Sequence, residues 1–305
     1  MKRLLPVLVA TAALAQPTEH VTVTGSREPP RLAAEHFVQR FTVASPITGK
    51  TARWDEGICP ITVGLGKKYA AYVTSHLRMV AKEAGAPVNM AADCKPNIEI
   101  VFTTTPQKLA DGIRKQHPFY LGHARNDADR DRLATVSHPI QAWYTTAMRD
   151  LRGNLLWDSP RMAGDGMEIK IPLPCSPGCG YMNLSSAIGA TTVTGGRIKD
   201  GMRSILYHVI IVAEPAKLGE HEVGTLADYI ALLALAQVGS LDACQPLGSI
   251  INLLARGCAN APAGLTASDR GSLRGLYSMS ADGNLRMQQD GIAQTMLTAQ
   301  GEDGK

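Results

Sequence analysis

The feature that most constrains the fold of this chain is an almost wholly apolar segment at residues 225–237, which reads Thr-Leu-Ala-Asp-Tyr-Ile-Ala-Leu-Leu-Ala-Leu-Ala-Gln. After Asp228 it holds almost no polar side chain until its end, and Gly239 follows. A helix that is apolar on every side must be buried, and a membrane span would need roughly 20 apolar residues. The sequence therefore predicts a helix at the centre of a globular domain.

Other segments supply the layers around that helix. Residues 67–84 carry apolar side chains at helical spacing and are followed by Gly85, which predicts an amphipathic helix. Residues 204–212 form a nearly continuous apolar run, which is typical of a strand buried on both faces. Shorter patterns predict two more helices and three more strands, at 105–116, 265–277, 97–103, 139–147 and 153–157. The predicted class is α+β.

The N-terminus has the pattern of a secretory signal peptide. Lys2 and Arg3 precede an apolar run at 4–14, and Ala13 and Ala15 place small residues at a cleavage site. We predict cleavage after residue 15. The apolar run is about half the length of a membrane span, so we expect a periplasmic or secreted protein with no membrane span.

The cysteines are consistent with export. The chain has six of them, an even number that suits disulfide bonding in an oxidising compartment. They fall into three sequential pairs, for which we predict bonds between neighbours: Cys59 with Cys94, Cys175 with Cys179, and Cys244 with Cys258. A redox role for the middle pair is the alternative, but its three intervening residues differ from the two of a thioredoxin-type motif.

Composition and charge restrict the domain organisation and the partners. Of 305 residues, 45% are hydrophobic, 5% are aromatic, and the net charge is only +4. Little positive charge and few aromatic rings give no basis for binding nucleic acid. We divide the chain into a signal peptide (1–15), a linker or irregular N-terminal segment (16–50), a single α+β domain (51–280) and a C-terminal helix or tail (281–305).

The order of elements and three short motifs resemble the metzincin-type metallopeptidases, a zincin family. The motifs are the central helix, the Met-turn-like sequence Ser249-Ile-Ile-Asn252, and a Thr-x-x-Asp pattern at Thr266 and Asp269. The resemblance covers roughly residues 58–279. It implies a zincin-like mixed β-sheet, with the apolar helix where the family carries its zinc-binding helix.

The family's zinc-binding sequence, His-Glu-x-x-His, is missing. Two histidines one helical turn apart bind the metal there, and the intervening glutamate takes a proton from the bound water. The corresponding positions are Tyr229, Ile230 and Leu233, none of which serves these roles. The resemblance therefore implies a degenerate zinc site with no catalytic residue and no cofactor.

Two other arrangements of residues suggest chemistry. His208, His221 and Asp228 are candidate zinc ligands outside the usual positions, with Glu220, Glu222 and His138 nearby in sequence or on an earlier strand. Ser249, His208 and Asp242 supply the residue types of a hydrolase triad, but the chain has no Gly-x-Ser-x-Gly sequence.

Two classes of function follow. The first is a non-catalytic exported protein, a pseudoenzyme that binds a peptide or protein partner, for example by pairing an extended segment with an edge strand. The alternative is a zinc-dependent metallohydrolase with ligands outside the central helix. Whether the chain is an enzyme stays open, and the absence of the family's ligands favours the first class.

Overall fold

The computed structural model describes residues 30–150, 152–157, 169–172, 181–184, 201–242, 244–245, 247–258 and 261–302. The predicted signal peptide and the Cys175 and Cys179 pair lie outside these ranges. In chain order the α-helices are α1 (Pro30–Phe41), α2 (Lys67–Ala84), α3 (Pro106–Gln116), α4 (Asp127–Leu133), α5 (Val223–Leu235), α6 (Ala267–Ser278) and α7 (Leu285–Glu302). Short 3₁₀ turns occur at Pro118–Leu121, Pro215–Lys217 and Ile250–Leu253.

The described strands form one large sheet and one separate pair. They are β1 (Arg53–Trp54), β2 (Pro60–Val63), β3 (Ile98–Phe102), β4 (Ile140–Arg149), β5 (Leu155–Trp157), β6 (Ile169–Pro172), β7 (Tyr181–Leu184) and β8 (Arg203–Ala213). The large sheet has the order β2-β3-β8-β4-β5, with β1 beside the start of β8. Strands β1 and β3 run parallel to β8, β2 runs parallel to β3, and β4 runs antiparallel to β8. The predicted α+β class is confirmed.

Strand β8 is the centre of the sheet, as its apolar sequence predicts. It pairs with β3 on one side and β4 on the other, and most of its residues are buried. Thr145 lies opposite His208 but Thr146 lies opposite Leu206, so Tyr207 is an extra residue in a β-bulge. Because side chains alternate along a strand, the bulge turns Leu206 and His208 to opposite faces of the sheet.

The two faces of the sheet are covered differently. The larger core lies on the first face and contains side chains from α1, α2, α5, α6 and α7. A smaller core lies on the second face, beneath α3, the turn Pro118–Leu121 and the segment that follows α4. The large core buries α5 on nearly all sides, because ten of its residues are shielded from solvent.

The N-terminal region differs from the sequence prediction. A linker or irregular segment is expected at 16–50, but α1 occupies Pro30–Phe41 and buries one side, with Phe37, Val38 and Phe41 at most 1% exposed. These residues recur at helical spacing, and Pro30 stands at the helix start where proline is tolerated. Helix α1 packs against α7, a contact between distant parts of the chain.

The C-terminal region is a packed helix rather than a tail. Helix α7 buries Ile292, Ala293 and Met296 in the larger core. It approaches α6 closely because Gly275 has no side chain there: a Cβ atom at that position would lie 2.7 Å from the Ile292 Cα. Of the two alternatives predicted for residues 281–305, a helix or a tail, the helix is the one observed.

Two of the predicted disulfides are confirmed. Cys59 bonds to Cys94 and Cys244 bonds to Cys258, with Cα–Cα distances of 6.0 and 5.5 Å. Such bonds persist in oxidising compartments. Among the described residues, no helix has the length and apolarity needed to cross a bilayer.

Candidate functional site

The positions that the sequence resemblance predicts to correspond to the family's zinc ligands are buried in α5. Tyr229 and Leu233 are each 1% exposed and Ile230 is fully buried. All three pack in the larger core. Burial also raises the pKa of Tyr229, so its phenol stays protonated. This part of α5 consists of packing residues.

Three aromatic side chains bind the C-terminal end of α5. The carbonyl oxygens in the last turn of a helix have no partner within the helix. Here Tyr144 Oη donates to the Leu233 carbonyl at 3.0 Å, Trp54 Nε1 to the Ala234 carbonyl at 2.8 Å, and Tyr277 Oη to the Leu235 carbonyl at 2.7 Å. These three donors come from three different elements, β4, β1 and α6.

The sequence alone does not predict these donors. Burial raises the pKa of both Tyr144 and Tyr277, which keeps their phenols protonated and able to donate. The only signal in the sequence is that tyrosine and tryptophan carry a polar group that needs a partner when buried. The partner carbonyls lie far away in the chain, so that signal does not identify them.

Asp228 connects three parts of the molecule. Its Oδ1 lies 2.6 Å from His76 Nε2 on α2, and its Oδ2 accepts a hydrogen bond of 3.0 Å from the Leu265 N–H. Burial acts to raise the pKa of Asp228, but the hydrogen bonds from His76 and Leu265 outweigh it and lower the pKa. Tyr72 stacks on the His76 ring. Asp228 therefore holds α2, α5 and the segment before α6 together.

The structure places the other candidate ligands in different surroundings. His208 is buried in the sheet beside Glu99, whereas His221 is exposed in the loop before α5. His138 Nε2 lies 2.9 Å from Asp242 Oδ1 at the surface. Within the described ranges, no three or more histidine, cysteine, aspartate or glutamate side chains form a group that could hold a metal ion.

Ser249 belongs to a buried network and not to a triad with His208 and Asp242. Its hydroxyl donates to Asp269 Oδ1 at 2.6 Å, while Asp269 Oδ2 accepts from the N–H groups of Ile250 and Thr266 at 2.9 and 3.0 Å. Thr266 and Asp269 also form the capping box at the start of α6. The network fixes the Met-turn-like segment to α6.

Four polar side chains on the second face of the sheet form what we call the sheet polar cluster: Glu99, Tyr120, Thr145 and His208. Glu99 and His208 are each 2% exposed, and Glu99 Oε1 lies 3.5 Å from His208 Nε2. The Tyr120 ring packs edge-on against the His208 ring, with centroids 4.9 Å apart. Thr145 lies opposite His208 in the β4–β8 register. Burial raises the pKa of Glu99, and His208 partly opposes that effect.

A second feature, which we call the apolar pocket, lies at the carboxyl ends of β2, β3 and β8. It has a volume of about 260 Å³. Its walls are formed by Leu65, Tyr69, Val73, Phe102, Pro215, Leu218, Gly219, Val223 and Leu226. Gly64 allows β2 to approach β3 here, because a Cβ atom on it would lie 1.9 Å from the Phe102 carbonyl oxygen. In sheets of this kind, ligands bind preferentially beyond the carboxyl ends of the strands.

The edge of the sheet next to the apolar pocket is poorly suited to strand pairing. Strand β2 forms this edge and has four residues. It begins with Pro60, which has no N–H group to donate. Short edges and edge prolines are features that discourage pairing with another chain. Binding at this side of the molecule would therefore depend on the pocket more than on β2.

No family model matches the chain, and searches of curated proteins and of solved structures find no significant match.

Proposed function

We propose that this is a non-catalytic exported protein with a degenerate zincin-like scaffold, which binds a peptide or protein partner through the apolar pocket. The observation that carries the proposal is the pocket itself. None of its nine lining residues carries a charge, and it opens where ligands of such sheets usually bind.

The size of the apolar pocket suits a single side chain. Pockets for drug-sized molecules have volumes of roughly 300–1,000 Å³, and this one has about 260 Å³. Tyr69, at its opening, is 52% exposed and offers an aromatic surface to a partner. We therefore infer that the partner inserts one large apolar residue, with the neighbouring part of its chain lying over α2.

The absence of catalysis is supported by α5. The family that the sequence resembles places its metal ligands on this helix, whereas Tyr229, Ile230 and Leu233 are buried packing residues. An oxidising location, the periplasm or the exterior, is supported by the two disulfides.

A displayed library of random peptides, selected on the purified protein, tests the proposal. We expect selected peptides to share a large apolar residue and their affinity to fall more than tenfold on Tyr69→Glu. Met90→Glu is the matched control, because Met90 is 77% exposed and lies outside the pocket. Failure to select any peptide, or equal affinity for both variants, would contradict the proposal.

A further inference from the structure

The sheet polar cluster is buried, and its polar side-chain atoms form no hydrogen bond with the described residues, although Glu99 and His208 lie within ion-pair distance. Both carboxylate oxygens of Glu99 and both ring nitrogens of His208 lack a hydrogen-bond partner in the part of the chain that the structure describes. The same holds for the Tyr120 hydroxyl and the Thr145 hydroxyl. Folded proteins pair nearly all buried polar groups, so six such atoms in one place need an explanation.

The chemistry of these residues points to a cation. Buried charged groups are normally paired, hydrogen-bonded or bound to a metal ion. A carboxylate and an imidazole are both common zinc ligands, and the buried Tyr120 hydroxyl supplies one further oxygen atom to the cluster. Glu99 and His208 are supplied by adjacent strands, and Tyr120 by the turn that covers them.

The distance between Glu99 and His208 is consistent with this interpretation. The separation of 3.5 Å from Oε1 to Nε2 exceeds that of a well-formed hydrogen bond. Two ligands of a tetrahedral zinc ion, each about 2.1 Å from the metal, lie about 3.4 Å apart. We propose that Glu99, His208 and Tyr120 bind a divalent cation of the zinc class.

The polar atoms of the sheet polar cluster are closed to solvent, but the cluster lies beside a cleft. His208 also lines a cleft of about 360 Å³ at the amino ends of β3 and β8, together with Trp54, Asn97 and Tyr207. A cation site needs such an entry path.

This site is distinct from the predicted zinc positions and from the proposed function. Of the candidates His208, His221 and Asp228, only His208 takes part. The β-bulge at Tyr207 turns it away from the core that contains α5. The apolar pocket lies at the opposite end of β3, so peptide binding and cation binding are tested separately.

Cation binding is measured on the full chain after treatment with a chelator. The protein is titrated with Co²⁺, which reports coordination through its visible absorption, and with Zn²⁺ in competition with a chromophoric chelator. We expect one equivalent to bind. Affinity should fall by more than about tenfold in Glu99→Gln and His208→Gln, since even the loss of an outer partner of a ligand costs that much. His221→Gln is the matched control and should bind normally, because His221 is exposed.

Tyr120→Phe keeps the ring and removes only the hydroxyl, so it tests the site even if the Glu99 and His208 variants fail to fold. We expect it to bind more weakly and to change the Co²⁺ spectrum. The proposal is overturned if the wild-type chain binds neither ion, if folded variants at Glu99 and His208 bind as well as wild type, or if Tyr120→Phe leaves affinity and spectrum unchanged.

Discussion

Helix α5 and the sheet polar cluster lie on opposite sides of strand β8 and satisfy their polar groups in opposite ways. In α5, which the sequence resemblance predicts to be the counterpart of a zinc-binding helix, the buried carbonyls of the last turn receive hydrogen bonds from Trp54, Tyr144 and Tyr277. In the sheet polar cluster, six buried side-chain atoms have no hydrogen-bond partner among the described residues. The last carbonyls of α5 are hydrogen-bonded without a ligand, whereas the atoms of the sheet polar cluster would gain partners from one.

Helix α5 is fixed by side-chain contacts from several elements. A structural zinc ion contributes to folding and fixes the elements that bind it. Here three aromatic donors from β1, β4 and α6 converge on α5, and the Cys244–Cys258 disulfide closes the segment before α6. We propose that these contacts hold α5 in place without a metal.

The strongest test of this comparison is to install histidines at Tyr229 and Leu233. Both sites are 1% exposed, so the double variant loses packing and buries polar groups without partners. We expect the free energy of unfolding to fall by about 4 kcal/mol or more, measured by urea denaturation. Leu233→Met, which preserves volume, should cost less than about 1.5 kcal/mol. Zinc binding with a higher melting temperature would instead indicate that α5 occupies a zinc-binding position.

Removing one aromatic donor tests whether the end of α5 depends on it. Tyr144→Phe and Tyr277→Phe each leave a buried carbonyl unpaired, so each should cost about 1–3 kcal/mol of unfolding free energy. Tyr69→Phe is the control, because Tyr69 is 52% exposed and should change stability by less than about 0.5 kcal/mol. Equal stability of all three variants would show that the hydroxyl groups do not stabilise α5.

Asp269 is a buried carboxylate whose oxygens accept hydrogen bonds, and it can therefore be compared with Glu99. Both are buried, but Asp269 accepts hydrogen bonds from Ser249, Ile250 and Thr266. In Asp269→Asn one accepting oxygen becomes a donating amide that faces other donors, so we expect a loss of about 1–3 kcal/mol in thermal or urea unfolding. Asp242→Asn, whose side chain is 84% exposed, should be nearly neutral. A neutral Asp269→Asn would mean that this network does not stabilise the fold.

The sequence predicts the elements whose signals are local. Helix α2 ends at Gly85 as expected, and the apolar run in β8 indicates correctly that both of its faces are buried. Helix α1 was missed even though Phe37, Val38 and Phe41 are spaced as in a helix, because prolines and charged residues around them suggest a linker. It packs against α7, at the far end of the chain.

The sheet polar cluster could not be predicted from local patterns. The sequence around Glu99 predicts only a buried strand, and the sequence around His208 predicts only a histidine in the core. They meet only through the register between β3 and β8, and the bulge at Tyr207 turns His208 toward Tyr120. Neither the register nor the bulge has a signal in the sequence around these residues.

Of these substitutions, Glu99→Gln should change the stability of the fold least, but the direction of the resulting pH dependence follows from the pKa of Glu99. Burial raises the pKa of Glu99 above its ordinary value of about 4.3. A raised pKa in the folded state contributes stability below the unfolded pKa, and that contribution is lost as the pH rises through the folded pKa. Glutamine mimics the protonated acid at every pH. In chelator-treated protein, wild type should therefore lose stability relative to Glu99→Gln as the pH rises above the ordinary pKa of glutamate.

This prediction is tested by measuring the melting temperatures of wild type and Glu99→Gln across a series of pH values, with and without zinc. Zinc favours the ionised carboxylate, so it should raise the melting temperature of wild type near pH 7 and leave that of Glu99→Gln nearly unchanged. Asp242→Asn serves as the control, because Asp242 lies outside the cluster. Parallel pH profiles for wild type and Glu99→Gln without metal would show that Glu99 is already paired, and the difference between the two sides of β8 would then disappear.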